Sequence, residues 1–244
     1  PKLMKQLGDL IDLDAKTITG GTLRDVVAQA EEVPGQDAIR PRDNPINAQC
    51  AMAVLRGNLA PRGAGIKQSA ATLRLLQHTG RAVVFESVED MTRRIDDPDL
   101  DVAADDVLVL RNAGPKGAPG MPEAGYLPIP QKLLRAGVKD MVRISDARMS
   151  GTAFGTIVLH ITPESAVGGP LAVVRTGDMI RLDVAKRRID LLVDEVELTL
   201  RQHALPKPAT PEWAARGYAH LFHETITQAD EGCDFDFMGR DGAS

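Results

Sequence analysis

The run Val142-Arg143-Ile144-Ser145-Asp146-Ala147-Arg148-Met149-Ser150-Gly151-Thr152-Ala153-Phe154-Gly155-Thr156 gathers hydroxyl, carboxylate and guanidinium groups around a Ser150-Gly151 step. An apolar, β-branched stretch leads in and Ile157-Val158-Leu159 leads out. Strand, loop, strand is the simplest reading, with the polar residues at the end of a sheet. Loops held by rigid strands are where chemistry concentrates. Gly151 takes backbone angles closed to other residues and lets another group approach Ser150 closely. A serine hydroxyl is too weakly acidic to act unaided as a base. It needs a metal or a strong positive field, as when zinc moves the pKa of water from about 15.7 to about 7. The bland alternative is a hydroxyl that caps a turn.

A second loop of the same character, Asn112 to Glu123 (NAGPKGAPGMPE), follows the strand-like Val107-Leu108-Val109-Leu110. Its glycines and prolines fix the backbone, and its one carboxylate, Glu123, stands at the far end. Magnesium prefers hard oxygen ligands, commonly one or two carboxylates. A glutamate after Pro-Gly-Met-Pro sits on the stiff backbone a ligand needs; the competing reading is an acid near the start of a helix. Thr152 faces the same side as Ser150 on an extended segment. There it could bind substrate, orient Ser150, or be only a strand-edge threonine.

Arg143 and Arg148 could attract a carboxylate, with a surface or ion-paired arginine as the default. Asp146 reads as a turn former and Lys116 as an exposed lysine. The glycines from Gly114 to Gly120 lack both the Walker Lys-Ser ending and the Rossmann spacing, which excludes a nucleotide site. His220 and His223 are one helical turn apart with no third ligand, and read as surface or interface residues.

Strands must hold these loops. β-like runs cover 50–55, 81–85, 106–110, 141–145, 156–161 and 171–175, and 179–184 with 188–193 alternate around a polar turn as in a hairpin. Helices are expected over 2–7, over 23–32 behind a Thr22/Asp25 capping box, over 88–95 capped by Ser87, and over 131–136 started by Pro130. A last helix, 212–230, has Trp213, Gly217, Leu221 and Phe222 as its buried stripe. Residues 34–45 and 206–211 read as linkers. Many short strands with few helices predict a β-barrel or sandwich with helical insertions.

The 244 residues suffice for one large domain, or one with appendages. Aromatics make up 3%, so Val, Leu, Ile, Ala and Met must build the core. A net charge of -5 with mixed signs offers no phosphate-attracting surface and speaks against nucleic acid as a partner. Cys50 and Cys233, far apart, argue against a disulfide framework or zinc motif and suit a reducing cytoplasm. No apolar run reaches the length of a membrane span. No signal segment opens the chain, and Pro1 in place of a methionine agrees with sequence missing upstream.

Four long segments, LRGNLAPRGAGIKQSA (from Leu55), LRNAGPKGAPGMPE (from Leu110), RISDARMSGTAFGT (from Arg143) and HITPESAVGGPLAVVRTGD (from His160), together resemble the dihydroxy-acid and sugar-acid (aldonate) dehydratases. The likeness runs from about Asn44 to Arg201 and looks like the C-terminal part of a much longer enzyme. The tail QADEGCDFDF resembles that of the sugar-acid branch, the arabinonate/xylonate type. The resemblance implies an α/β fold: a compact β-barrel-like swivelling domain with inserted helices over 45–205. Residues 1–44 would be the end of a preceding domain with its linker helices, and 206–244 a C-terminal helical tail.

The implied reaction removes water from an aldonate to give a 2-keto-3-deoxy acid. It needs a base for the C2 proton, a Lewis acid for the departing C3 hydroxyl, and positive charge for the carboxylate and developing enolate. The resemblance makes Ser150 the base, beside magnesium and a [2Fe-2S] cluster, and Glu123 a magnesium ligand; Thr152 is the candidate substrate contact. Neither cysteine falls in a matching motif, so the cluster thiolates are expected in the missing N-terminal domain. The expected partners are a sugar acid, that domain and further copies of the enzyme, with no membrane. Two alternatives stay open: a branched-chain dihydroxy-acid dehydratase of amino-acid synthesis, and a non-catalytic partner-binding module.

Overall fold

The computed structural model describes residues 1–31, 34–48, 50–118, 121, 127–148 and 154–238. The chain divides into two compact units, Pro1–Cys50 and Ala51–Ser244. In the first, α1 (Lys2–Leu7) stops at Gly8, and α2 (Leu23–Ala28) begins where the Asp25 carboxylate accepts from the Thr22 N–H at 2.7 Å. Helix α2 is shorter than expected. It buries no residue, so lengthening it would gain no packing.

The second unit is a closed eight-stranded barrel. Its strands are β1 (Ala53–Gly57), β2 (Ala60–Ile66), β3 (Gln77–Phe85), β4 (Val107–Leu110), β5 (Val142–Ser145), β6 (Ile157–Thr162), β7 (Met179–Asp183) and β8 (Arg188–Leu191). Around the barrel they run β1-β2-β6-β5-β4-β3-β7-β8. The four strands from β3 to β6 are mutually parallel, and Phe85, Leu110 and Ser145 stand level in the register. The chain therefore leaves β3, β4 and β5 at neighbouring points on one rim. In parallel α/β sheets that rim is where ligands bind.

Parallel strands buried on both faces read as continuous apolar runs, and every residue of β4 and β5 is buried. Val84, Val107, Val109, Val142, Ile144 and Val158 join side chains from β1, β2, β7 and β8 in the larger core, which fills the barrel. Val83, Phe85, Leu108, Leu110 and Leu159 turn the other way. They pack with Met91 of α3 (Val88–Arg94), with Ile95, and with Leu127 and Ile129 ahead of α4 (Gln131–Arg135).

Two expectations are corrected. Residues 171–175 are not a strand: Pro170–Val173 form a 3-10 turn. Leu171, Val173 and Val174 are buried in the barrel core, so their apolar run reflects burial and not pairing. The single helix expected over 212–230 is broken into a 3-10 turn at Glu212–Ala214, then a helix at Gly217–Thr225, then a 3-10 turn at Ala229–Glu231. Arg216 is extended and Gly217 has φ 71, which interrupts it at one end; Ile226 leaves it to pair with Phe235. Trp213 and Leu221 are 39% and 44% exposed, so the expected stripe is not a buried one. Sequence reading also misses β2, whose APRGAGI has one β-branched residue, Ile66, and is held by β1 and β6. It likewise misses α5 (Glu195–His203), capped by Asp194; the Gly217–Thr225 helix is then α6. Among the described residues no helix is long and apolar enough to cross a membrane.

The barrel closes at its thinnest seam, between β1 and β8, through one parallel bridge, Arg56 to Arg188. Beside it the Asn58 amide acts as a substitute peptide group. Its Nδ2 donates to Leu191 O at 2.8 Å, and its Oδ1 accepts from Leu191 N at 2.7 Å. Asn58→Leu leaves both Leu191 groups unpaired, which costs about 2–3 kcal/mol. Urea unfolding measures it, and a loss below about 0.5 kcal/mol would show that the seam closes without this amide.

Candidate active site at the carboxyl ends of the parallel strands

Ser150, Thr152 and Glu123 lie outside the described residues. The chain that brackets them on both sides does not, and four sets of contacts fix it. The first centres on Asp146, the residue after β5, which is 1% exposed. Its Oδ1 accepts from the Ala113 N–H at 2.9 Å. Its Oδ2 accepts from the Ser165 N–H at 2.9 Å and from the Ser165 hydroxyl. Ser165 Oγ in turn accepts from the Asn112 N–H at 2.7 Å. Asp146, expected only to form a turn, is a buried strap joining the chain that leaves β4, β5 and β6.

The second set centres on Glu164, 1% exposed and just beyond β6. The Lys116 N–H reaches Glu164 Oε1 at 2.9 Å and the Gly117 N–H reaches Oε2 at 2.9 Å. The Gln228 side chain donates to Oε1 at 2.7 Å and accepts from the Glu164 N–H at 2.9 Å. A glycine-rich turn whose N–H groups converge is an anion nest. Here the chain's own Glu164 carboxylate fills it. The approach is close: a Cβ on Gly114 would sit 2.5 Å from Glu164 Oε2.

The third contact joins the two loops. Arg148 Nε donates to Met121 O at 2.9 Å. Arg148 stands two residues before Ser150 and Met121 two before Glu123.

The fourth fixes the far ends. Arg143 and Asp140 form an ion pair of 2.9 Å, each 4% exposed at the side chain. The guanidinium also donates to Leu127 O at 2.9 Å and Phe154 O at 3.3 Å, where the two loops return. Asp140 Oδ2 accepts from the Thr156 hydroxyl at 2.7 Å. A Cβ on Gly155 would lie 2.0 Å from Arg143 Nη2, so only glycine leaves the guanidinium its space. Arg143 thus takes its default, ion-paired role.

The electrostatics follow from burial. Loss of water pushes the Asp146 carboxyl above its ordinary pKa, against the pull of its hydrogen bonds. Burial does the same to Glu164, and the neighbouring Asp146 charge adds to it. Asp140 is shifted the opposite way: bonds from Thr156 and Thr72 and the Arg143 charge outweigh its burial. His160 is held below its usual value by burial and by the Arg148 charge.

Sequence reading misses Asp140, Glu164, Ser165 and Gln228. The available signal was a glutamate lodged in the otherwise apolar and small run ITPESAVGG. Among the described residues no three His, Cys, Asp or Glu side chains could hold a metal. His220 Nδ1 contacts Ala214 O at 3.1 Å, and His223 packs edge-on against Trp213 at 5.6 Å. Lys116 reaches Glu224 O with its ammonium at 3.3 Å.

Residues 37–233 match the family described as dihydroxy-acid/6-phosphogluconate dehydratase, C-terminal. The chain is 49% identical over 245 residues to an L-arabonate dehydratase of Azospirillum brasilense, covering 98% of this chain and 42% of that protein. It is 50% identical over 240 residues to a 6-deoxy-6-sulfo-D-gluconate dehydratase of Pseudomonas putida, covering 97% and 41%. Identity to a dihydroxy-acid dehydratase of Methanothrix thermoacetophila is 38% over 234 residues, covering 94% and 42%. The chain spans less than half the length of these relatives.

A carboxyl whose pKa is raised by folding contributes stability that is present at low pH and lost as pH rises through the folded value. Asp146→Asn turns one acceptor into a donor facing N–H groups, at a cost of about 1–3 kcal/mol. Because the amide does not titrate, that deficit narrows as pH rises from about 4 toward neutrality. Urea unfolding at stepped pH reads it; a deficit that widens would mean that hydrogen bonding outweighs burial at Asp146.

Proposed function

Because the chain belongs to the dihydroxy-acid/6-phosphogluconate dehydratase family, whose C-terminal region it matches, we propose that it is the C-terminal part of a sugar-acid dehydratase. The enzyme removes water from an aldonate and releases a 2-keto-3-deoxy acid. The identities of 49% and 50% to sugar-acid dehydratases, against 38% to a dihydroxy-acid dehydratase, favour that branch.

One contact carries the site assignment. The Arg148–Met121 hydrogen bond ties together the chain just ahead of Ser150 and just ahead of Glu123. In this reading Ser150 takes the C2 proton, Thr152 binds the substrate, and Glu123 is a magnesium ligand. The permanent charge of Arg148, two residues from Ser150, favours an anionic oxygen in that region. The clamps at Asp146, Glu164 and Arg143 hold the loops against the forces of substrate binding.

The donors of this chain suit one of the two inorganic groups and not the other. Asp146 and Glu164 spend their oxygens on N–H and O–H donors, which leaves Glu123 as the hard-oxygen candidate from these loops. That fits magnesium, which takes few protein carboxylates; when bound, it supplies a Lewis acid for the departing C3 hydroxyl. A [2Fe-2S] cluster does not fit this chain. Its two cysteines form no disulfide and belong to different units: Cys50 is in the first, and Cys233 is in the second with Sγ 3.4 Å from Met121 Sδ. Cluster thiolates would belong to the rest of the enzyme. Two cysteines outside any disulfide suit a reducing cytoplasm, and exposed Tyr218 and Leu221 on α6 favour self-association.

In the whole enzyme, Ser150→Ala lowers turnover about 10²–10⁴-fold, the usual contribution of a positioned base. Glu123→Gln raises the magnesium concentration needed for half-maximal rate. Steady-state kinetics with an aldonate and with a branched-chain 2,3-dihydroxy acid tests both the roles and the substrate. Near-normal turnover of Ser150→Ala ends the base assignment, and faster turnover of the branched-chain acid ends the sugar-acid reading.

A further inference from the structure

The stretch from Ile226 to Phe235 forms a closed hook. Ile226 and Phe235 bridge antiparallel, and Thr227 N donates to Asp234 O at 2.8 Å. The Gln228 carbonyl accepts from Glu231 N at 2.9 Å and Cys233 N at 3.2 Å, closing the turn. On one side, Asp230 and Glu231 pair with Arg62 of β2 at 2.7 and 2.8 Å. On another, Cys233 Sγ meets Met121 Sδ. Between them the Gln228 side chain, on a residue only 8% exposed, leaves the hook to embrace Glu164.

We infer that this hook is part of the active site, with Gln228 as a positioning residue for the loop that carries Glu123. The line of force is continuous. The Gln228 amide donates to Glu164 Oε1, and the Glu164 carboxylate gathers the Lys116 and Gly117 N–H groups. Those residues begin the segment that reaches Met121, which the hook touches a second time through Cys233.

Of the groups on the Glu164 carboxylate, Gln228 is the one contributed by the hook; the others are main-chain N–H groups of the loop itself. Burial and the Asp146 charge already press this carboxyl toward its neutral form. Without the amide it shifts further that way. A neutral carboxyl is the weaker acceptor for the two N–H groups, so the loop loosens.

The inference rests on Glu123 being the magnesium ligand, and its test separates the two. Gln228→Leu keeps the volume and removes the hydrogen bonds. In the full-length enzyme it should speed hydrogen exchange at Lys116 and Gly117, in the absence as well as the presence of magnesium. It should also raise the magnesium concentration for half-maximal rate about tenfold, the scale of a lost outer-sphere partner, with the KM for the aldonate within about twofold. A merely structural residue would lower the melting temperature without that split.

Unchanged exchange and unchanged magnesium dependence overturn the inference, provided that Glu123→Gln does raise the magnesium requirement. If Glu123→Gln leaves the requirement unchanged, the ligand reading falls, and the exchange rates alone then decide whether the hook holds the loop. Should Gln228→Leu fail to fold, Arg62→Ala frees the hook at its outer edge. Faster exchange and a higher magnesium requirement are expected there too, and no change in either overturns the inference.

Discussion

Two carboxylates buried at the ends of parallel strands set the terms for the rest of the barrel's upper rim. A buried anion is tolerated only when donors surround it. Asp146 and Glu164 each draw two main-chain N–H groups from neighbouring loops and add one side-chain donor, Ser165 or Gln228. Each carboxylate therefore dictates where a loop begins. Asp146 gathers the chain beyond β4 and β6, and Glu164 gathers the glycine-rich turn. Both carboxylates are turned to donors of their own chain, so they shape the loops around them.

The opposite end of each loop answers to a different interaction. Arg143 projects from β5 and collects the carbonyls of Leu127 and Phe154, while Asp140 neutralises it. Breaking a buried pair of this kind exposes a lone charge to an apolar surround, which is far costlier than the net gain from forming it. The two loops of interest are thus pinned at their origins by acids and at their returns by a base. Such double fixing suits a catalytic constellation, which tolerates little slack in its geometry.

Several features were legible in the chain because they are local. The β4 and β5 runs, the Ser87 cap with its 3.2 Å bond from the Asp90 N–H, and the β7–β8 hairpin all announce themselves within a few residues. The two loops stood out for the same reason: one is dense in glycine and proline, the other in hydroxyl, carboxylate and guanidinium groups. What occupies the N–H groups of the glycine loop was not legible, because the glutamate they bond comes from beyond β6, 47 residues from Gly117. What misled was apolarity without pairing, as at Leu171 to Val174, and helix propensity without a continuous backbone, as at Gly217.

The sequence alone determined the class of fold, the strands that carry the loops, and the family likeness, all of which are written in short-range pattern. Only the tertiary structure decided what Asp146, Glu164, Arg143 and Gln228 do. Their partners lie 33 residues away for Asp146 with Ala113, 16 for Arg143 with Leu127 and 64 for Glu164 with Gln228. Most of those partners are backbone N–H and C=O groups, which every residue but proline carries in full. A side chain's need for a donor can be read from its type, but the donor that meets it is chosen by how the barrel closes.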